Sequence, residues 1–428
     1  MNRNLIAAAV GSALLMLPLL SHAEDSSTSF KLRGFGTVGV THSSQDQADY
    51  RNSLFQPSGA GHTRAWDLGL DTRLGLQGDL TLNDKLSAVV QLISERNYDK
   101  TFKPNVEWAN FKYQVTPDLS VRGGRVALPM FMLSEYRKVG YANPWVRTPV
   151  EVYAQIPFSS LNGIDVNYRL NVGDLATSLQ ATAGKTQAKL PSDRGVNEVD
   201  GSNTAAFNAL FEYGPASVRL GYARSKVDYT GTAPDTIFGG FRAVANNPLL
   251  PGLYRGQAQE ILDQYEAHDK LGTFAGIGVM IDPGSWFVQG EYTKRKVDSF
   301  LSDTTGYYVT GGARIGKFTP YASYSRLKAD SETSAQGVGT AGLPASVAAT
   351  IGALNGGLNA MLSNAAYAQK DVALGVRYDF MKNVDVKLQW DRLKVDGAPY
   401  GNTLINVQQG FNSNDKIDLF SLAVDFVF

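Results

Sequence analysis

Outside its leading segment the chain carries three histidines, His42, His62 and His268, and no cysteine. Histidine is the side chain suited to proton transfer near neutral pH, so a hydrolase would show itself there first. A hydroxyl nucleophile also needs an oriented base beside it. Neither a Gly-x-Ser-x-Gly elbow nor a His-Glu-x-x-His site accompanies His42 or His62. Lack of cysteine removes thiol nucleophiles, disulfide frameworks and Cys-bearing zinc sites together, and neither cofactor nor metal is expected. Catalysis by carboxylates alone stays open. A second chemistry is better supplied. Arg33, Arg73, Arg122, Arg169, Arg219, Arg314 and Arg377 sit between apolar neighbours, as do Asp71, Asp165, Glu212, Glu291, Asp379 and Asp385. Fixed charges repeated along the wall of a watery passage decide which ions enter it.

Such charges need elements that hold them on one face. A period of two supplies these elements, because successive strand residues point to opposite sides. Phe30, Leu32, Gly34, Gly36, Val38 and Val40 oppose Lys31, Arg33, Phe35 and Thr37; Trp66, Leu68, Leu70, Thr72, Leu74 and Leu76 oppose Asp67, Asp71 and Arg73. Similar contrasts recur around 164–170, 286–293 and 384–391. About sixteen strands are expected, each of the 9–11 residues or more that a tilted membrane-crossing strand needs. Every second connection is tiny and rich in Asn, Asp, Gly or Pro, as tight turns require. The others are mostly long: 42–64, 129–160, 186–203, 228–269, 329–369 and 395–416, with shorter ones at 97–105 and 298–304. A soluble sandwich has no reason to trim one end and elaborate the other. A closed barrel in a membrane does, with turns on the periplasmic side and loops outside.

The ends of the chain agree. A short polar start with Arg3, an apolar run over 5–20 and Ser21-His22-Ala23 read as an export signal cleaved after Ala23. The expected domains are thus a signal peptide, 1–23, and one all-β barrel, 24–428. With 40 basic and 40 acidic residues, the mature chain carries 39 − 40 = −1 once Arg3 is lost. That balance gives no footprint for nucleic acid. Aromatic residues fall near strand ends, Phe111, Tyr113, Phe211, Tyr213, Trp286, Tyr378 and Phe380 at one end and Trp66, Tyr222, Tyr292 and Tyr307 at the other. Rings at both interfaces mark outer-membrane barrels. Sixteen strands leave an aqueous passage, and lack of a phosphate-binding G-x-x-x-x-G-K-[ST] loop makes transport passive.

Phe420, Leu422, Val424, Phe426 and Phe428 alternate with Ser421, Ala423 and Asp425, and the chain stops on Phe. With the export signal, the strand count and a long third loop, the sequence resembles the general porins of Gram-negative bacteria. The resemblance spans nearly all of 24–428 and lies in architecture and terminal pattern. It implies a homotrimer in outer-membrane lipid and lipopolysaccharide, passing ions and small hydrophilic solutes, with the third loop folded into the lumen. It also implies that Phe426 and Phe428 are read by the barrel-assembly machinery. In cation-preferring porins the third loop is acidic. Here 129–160 holds Glu135 and Glu151 against Arg137, Lys138 and Arg147, a net +1. The expected pore-lining set is Arg33, Asp71, Arg73, Arg122, Glu135, Arg137, Lys138, Arg147, Asp165 and Arg314, with a mild anion preference. Trp145, Tyr136 and Tyr153 are expected to anchor the loop. A substrate-selective channel, a barrel enzyme, and an adhesin or secretion pore using 228–269 and 329–369 are the alternatives. Residues 255–268 suit a short helix, and the apolar stretch 343–369 suits a cap over the pore. Outward Gly34 and Gly36 suggest that another backbone approaches closely there, as at a subunit interface.

Overall fold

The two-residue period is realised as sixteen antiparallel strands that close on themselves. The computed structural model describes residues 28–192, 195–396 and 403–428; the expected cleavage point at Ala23 lies outside the described residues. The strands are β1 (Ser29–Ser43), β2 (Arg73–Thr81), β3 (Leu86–Glu95), β4 (Asn105–Gln114), β5 (Leu119–Ala127), β6 (Ser160–Val172), β7 (Leu175–Ser192) and β8 (Gly195–Tyr213). They continue as β9 (Ala216–Thr230), β10 (Lys270–Ile281), β11 (Trp286–Val297), β12 (Thr304–Ala313), β13 (Phe318–Ala329), β14 (Gln369–Met381), β15 (Val384–Val395) and β16 (Lys416–Val427). Each pairs with its sequence neighbours, and β1 pairs with both β2 and β16. Closure leaves no strand edge unpaired in hydrocarbon, where each orphaned backbone group costs several kcal/mol. Among the described residues no helix is long and apolar enough to cross a membrane. The strands make the crossing.

Parity falls as the sequence predicts over most of the wall. Phe30, Leu32, Val38, Leu74, Leu76, Tyr222, Trp286, Tyr292, Leu388 and Phe420 are exposed on the outside. Thr37, Asp165, Gln289, Gln389, Ser421 and Asp425 alternate with such positions and are buried on the inside. Turns at the trimmed end are as short as 173–174 and 382–383, where Gly173 and Asn383 take positive φ of 58° and 66°. A two-residue hairpin turn needs that backbone, and Gly and Asn reach it most easily.

Three expectations are corrected at the loop end. The presumed fourth loop, 186–203, is mostly strand, since β7 runs to Ser192 and β8 starts at Gly195. This hairpin rises clear of the membrane, so its faces carry none of the apolar alternation that lipid imposes. Leu70, read as outward, is buried with Ala48, Tyr50, Leu393, Val395, Leu404, Ile417 and Leu419. The pairing of Trp66–Asp67 with β1 breaks before β2 resumes; Leu68 stays exposed, and residues 69–71 are buried. The third loop holds a single helical turn, α1 (Val150–Tyr153), and the 228–269 loop holds two helices, α2 (Thr232–Ala245) and α3 (Gly252–Tyr265), where one was expected. The 329–369 loop folds as α4 (Ala345–Ala365). Phe238, Phe241, Ile261, Leu262, Phe300, Ile351, Leu358 and Leu362 form one apolar cluster that joins these helices into a lid.

At the closing seam the glycines acquire a specific partner. Gly34 and Phe428 exchange both backbone hydrogen bonds, at 2.8 and 2.9 Å. A Cβ on Gly34 would lie 2.2 Å from the Phe428 ring, and one on Gly36 2.3 Å from the Phe426 ring. The close approach inferred at these glycines therefore comes from this chain's own last strand: two stacked rings, 6.3 Å apart, lie over the gap. Aromatic cover of strand glycines pins register as well as filling space. Gly36→Leu should weaken closure by about 1–3 kcal/mol, the scale of overpacking. The barrel should then lose its compact mobility on heated gels at a lower temperature, and adding Phe426→Ala should restore part of the loss.

Candidate functional site

The third loop, 128–159, leaves β5 and folds into the barrel. Its apolar residues explain part of the seat. Phe131, Trp145, Val152 and Tyr153 pack with inward Phe274, Phe287, Tyr308 and Tyr321 of β10 to β13 in one buried cluster. Trp145 meets Tyr308 edge-on at 5.9 Å and donates its indole N–H to Thr310. Trp145 and Tyr153 thus anchor the loop, as their types suggest. Tyr136 stays partly exposed, and burial raises its pKa to about 12.

Charge holds the rest. Arg147 is buried and donates to Asp71 at 2.8 Å, to Asp391 at 2.7 Å, to Thr41 at 2.9 Å and to Ser421 at 2.6 Å. One guanidinium thereby ties the loop to the wall of β1, β15 and β16 and to the bend before β2. Lys138 reaches Glu95 at 2.7 Å and Glu107 at 2.9 Å, on β3 and β4. Burial disfavours its ammonium, but the two carboxylates outweigh burial and lift its pKa above the ordinary lysine value. Arg137 donates to the Tyr153 carbonyl and lies 6.0 Å over the Phe131 ring, and burial lowers its pKa. Wall residues also reach the loop backbone: Lys387 donates to the Gly140 carbonyl at 2.7 Å, and Arg377 to that of Tyr141 at 2.6 Å. Among the described residues Glu151 meets no cation. Its carboxylate accepts from Ser325 at 2.7 Å and Gln369 at 2.6 Å, and burial raises its pKa.

The other expected pore residues are spread along the wall. Arg122 and Asp165 pair at 2.7 Å, and Asp165 also accepts from Gln180 and Thr182. Arg73 lies 4.0 Å from Glu95, beside the Lys138 clamp. Arg33 stands 3.6 Å from Asp79 near the short-turn end. Arg314 is in the short 314–317 turn, forked to Asp282, whose carboxyl it holds below the usual range. Glu135 is exposed on the loop. Asp71 at the wall and Arg147 on the loop are buried against each other. Glu95, Glu107, Lys387, Asp391 and Asp425 also bind or underlie the loop, yet they were absent from the expected set. Inward parity at Asp391 and Lys387 was the signal that could have found them.

Lys112 is a further omission. It stands directly across from Arg122 in the β4–β5 ladder, both pointing inward. Arg169 points inward on β6, four residues beyond Asp165. Like charges set opposite each other on a sheet repel, and Asp165 is the carboxylate paired with this group. This stretch of wall therefore carries a surplus of positive charge that the loop does not.

The histidines make no catalytic set. His42 bonds the Ala65 carbonyl and stacks on Trp66 at 4.6 Å, His62 bonds the Asp46 carbonyl, and exposed His268 pairs with Asp228. Among the described residues no group of three or more His, Asp or Glu is placed to hold a metal.

A closed sixteen-stranded wall, apolar outside and charged within, narrowed by a fixed inner loop, defines a diffusion channel of the outer membrane. The sequence profile of the Gram-negative porins matches residues 7–398. The chain belongs to that family. Solved structures share the fold at low identity. The anion-selective porin of Comamonas acidovorans is 15 % identical, with a TM-score of 0.52, covering 94 % of this chain and 100 % of that one. The outer-membrane channel DcaP of Acinetobacter baumannii is 11 % identical, with a TM-score of 0.55, covering 96 % and 100 %. OmpF of Salmonella typhi is 14 % identical, with a TM-score of 0.51, covering 94 % and 98 %. No curated protein matches the sequence.

Removing Arg147 would strand Asp71 and Asp391 in a buried place, a loss of about 3–5 kcal/mol for one member of a buried pair. Arg147→Met should therefore loosen the loop, seen as larger open-channel current noise and altered conductance in planar bilayers. Glu151 has the opposite sense. Because burial lifts its pKa, the folded state holds the proton more readily than the unfolded chain, so its contribution is full at acid pH. That contribution fades as pH rises through the raised value. Glu151→Gln should keep the loop as quiet at pH 7 as wild type is at acid pH and should flatten the pH dependence of the noise.

Proposed function

We propose that this porin passes small hydrophilic solutes and ions by passive diffusion with a mild preference for anions, and that it does so as a non-catalytic homotrimer. The observation carrying the preference is the inward face of β4 to β6, where Lys112, Arg122 and Arg169 outnumber Asp165. Lumen water screens an ion pair poorly matched in geometry, but unpaired charges keep their field over a Debye length of about 8 Å. The loop's counted surplus of +1 adds no support, since Arg147 and Lys138 each face two carboxylates. Within this reading Arg33, Arg73, Arg122, Glu135 and Asp165 meet passing solutes. Asp71, Arg137, Lys138 and Arg147 hold the constricting loop in place, and Arg314 acts at the periplasmic rim.

A trimeric form is named for a structural neighbour, OmpT of Vibrio cholerae, and the porin fold favours the same assembly here. Phe426 and Phe428 remain the proposed signal for the barrel-assembly machinery, and lipid with lipopolysaccharide the proposed surroundings of the apolar face. Among the described residues none of His42, His62 and His268 is hydrogen-bonded to a hydroxyl nucleophile, which favours transport over hydrolysis.

Reversal potential in a potassium chloride gradient tests the preference. Wild type should show chloride favoured over potassium, and Lys112→Glu should abolish or reverse the sign. Clear cation selectivity in wild type would overturn the proposal.

A further inference from the structure

The loop end encloses a cavity of about 690 Å³. Its roof is α2 and α4, through Ala233, Pro234, Ile237, Met361 and Asn364; its floor is the returning third loop, through Gln155, Ile156 and Phe158. Leu190, Tyr229, Phe274 and Phe300 complete largely apolar sides. The volume suits a small organic ligand, and an apolar lining with few polar groups is the usual character of such a site. A passage for hydrated ions alone has no need of it.

Its charges are one-sided. Among the described residues Arg51, Arg224, Arg295 and Lys296 line it, and no carboxylate does. Arg224 and Lys296 lie on the outward parity of β9 and β11, so their main chains face the cavity. Arg295 lies on the inward parity with Thr293 and Val297. Its Nη1 donates to the Gln155 carbonyl at 2.6 Å and its Nη2 to that of Ser302 at 2.5 Å. Three of its five N–H groups remain, and Nε has no acceptor. Arg147, Arg122, Arg377 and Arg96 each have a carboxylate partner elsewhere in the chain. For Arg295 none lies within ion-pair distance among the described residues. A half-buried guanidinium without an anion is costly to hold in an apolar chamber, and a carboxylate is the ligand its fork matches.

We propose that this vestibule binds an amphipathic monoanion, an aryl or medium-chain carboxylate, on its way into the channel. The apolar body lies against Phe274, Phe300, Ile237 and Met361, and the carboxylate meets Arg295. The inference rests on the channel reading above and names a solute class for it.

Benzoate, acetate and benzyl alcohol, added to the loop side of single channels in planar bilayers, separate charge from apolar body. Benzoate should interrupt the chloride current at about tenfold lower concentration than either control, because benzyl alcohol lacks the charge-assisted hydrogen bond and acetate lacks the ring that buries apolar surface. Arg295→Gln should remove that advantage. Because Arg295 also holds the third loop, Asn364→Asp provides a second variant: it adds one negative charge to exposed lining and should weaken benzoate block several-fold with chloride conductance retained. Equal action of all three probes, or benzoate block unchanged in Asn364→Asp, would overturn the vestibule site while leaving the channel standing. Absence of any conductance steps would overturn both.

Discussion

Every peptide N–H and C=O that enters hydrocarbon must have a partner within the protein, and for this chain the only partner is the next strand. The last strand must therefore find the first. The β1–β16 seam is the contact on which the barrel depends, because without it two edges would open in lipid together. Glycine at 34 and 36 and phenylalanine at 426 and 428 make that register specific: slipping by one residue would turn the rings into the lumen and present Asp425 to lipid. The apolar outer face follows from closure, since the surface that cannot be hidden in a core is instead placed in the solvent that accepts it.

The interior then poses the opposite problem. A 32-residue loop inside a watery tube loses conformational freedom and gains no protection from lipid, so its place has to be fixed by local contacts. Two kinds do so. The aromatic strip from Phe274 to Tyr321 gives Phe131, Trp145 and Tyr153 an apolar seat within the lumen. Arg147 and Lys138 bring their charges to paired carboxylates on neighbouring parts of the wall, and the wall's own Lys387 and Arg377 take up the loop's carbonyl groups. The seat is apolar on the β10 to β13 side and ionic elsewhere. A buried pair of this kind gives little net stability compared with a well-packed apolar substitute, but it tolerates few alternative geometries. That intolerance is what a constriction of fixed width requires.

Much of this was legible in the residues. Lipid imposes one requirement on every spanning strand, and a uniform requirement leaves a regular trace; hence the sixteen strands and the short turns emerge with their ends nearly in place. The extracellular region answers to no such rule. The β7–β8 hairpin rises into water and keeps no apolar alternation, so 186–203 reads as loop although it is strand. Helix α2 is interrupted by two glycines and starts with Thr232, Ala233 and Pro234, and so carries a weak helical signature. Leu70 breaks parity because the chain bends before β2, and no local residue pattern announces that it will be covered by Tyr50 and Leu393. The partner of Gly34 is separated from it by nearly the whole chain. Small residues reveal that something approaches, but only closure of the sheet reveals what.

Charge was the least legible property, and the reason is physical. Counting gives the third loop +1, yet a count treats each group as free. Arg147 between Asp71 and Asp391, and Lys138 between Glu95 and Glu107, sit in places where the nearest opposite charge is under 3 Å away. Each cation set between two carboxylates is more than neutralised, so a solute several ångström away meets none of the loop's counted surplus. What reaches a passing ion is the residue left after such pairing. On this wall that residue is the uncompensated set around Lys112 and Arg169, and higher up the guanidinium of Arg295. Selectivity in a barrel lined with both signs is therefore a property of the unpaired minority, and it follows from the register that decides which groups find partners, more than from the composition that supplies them.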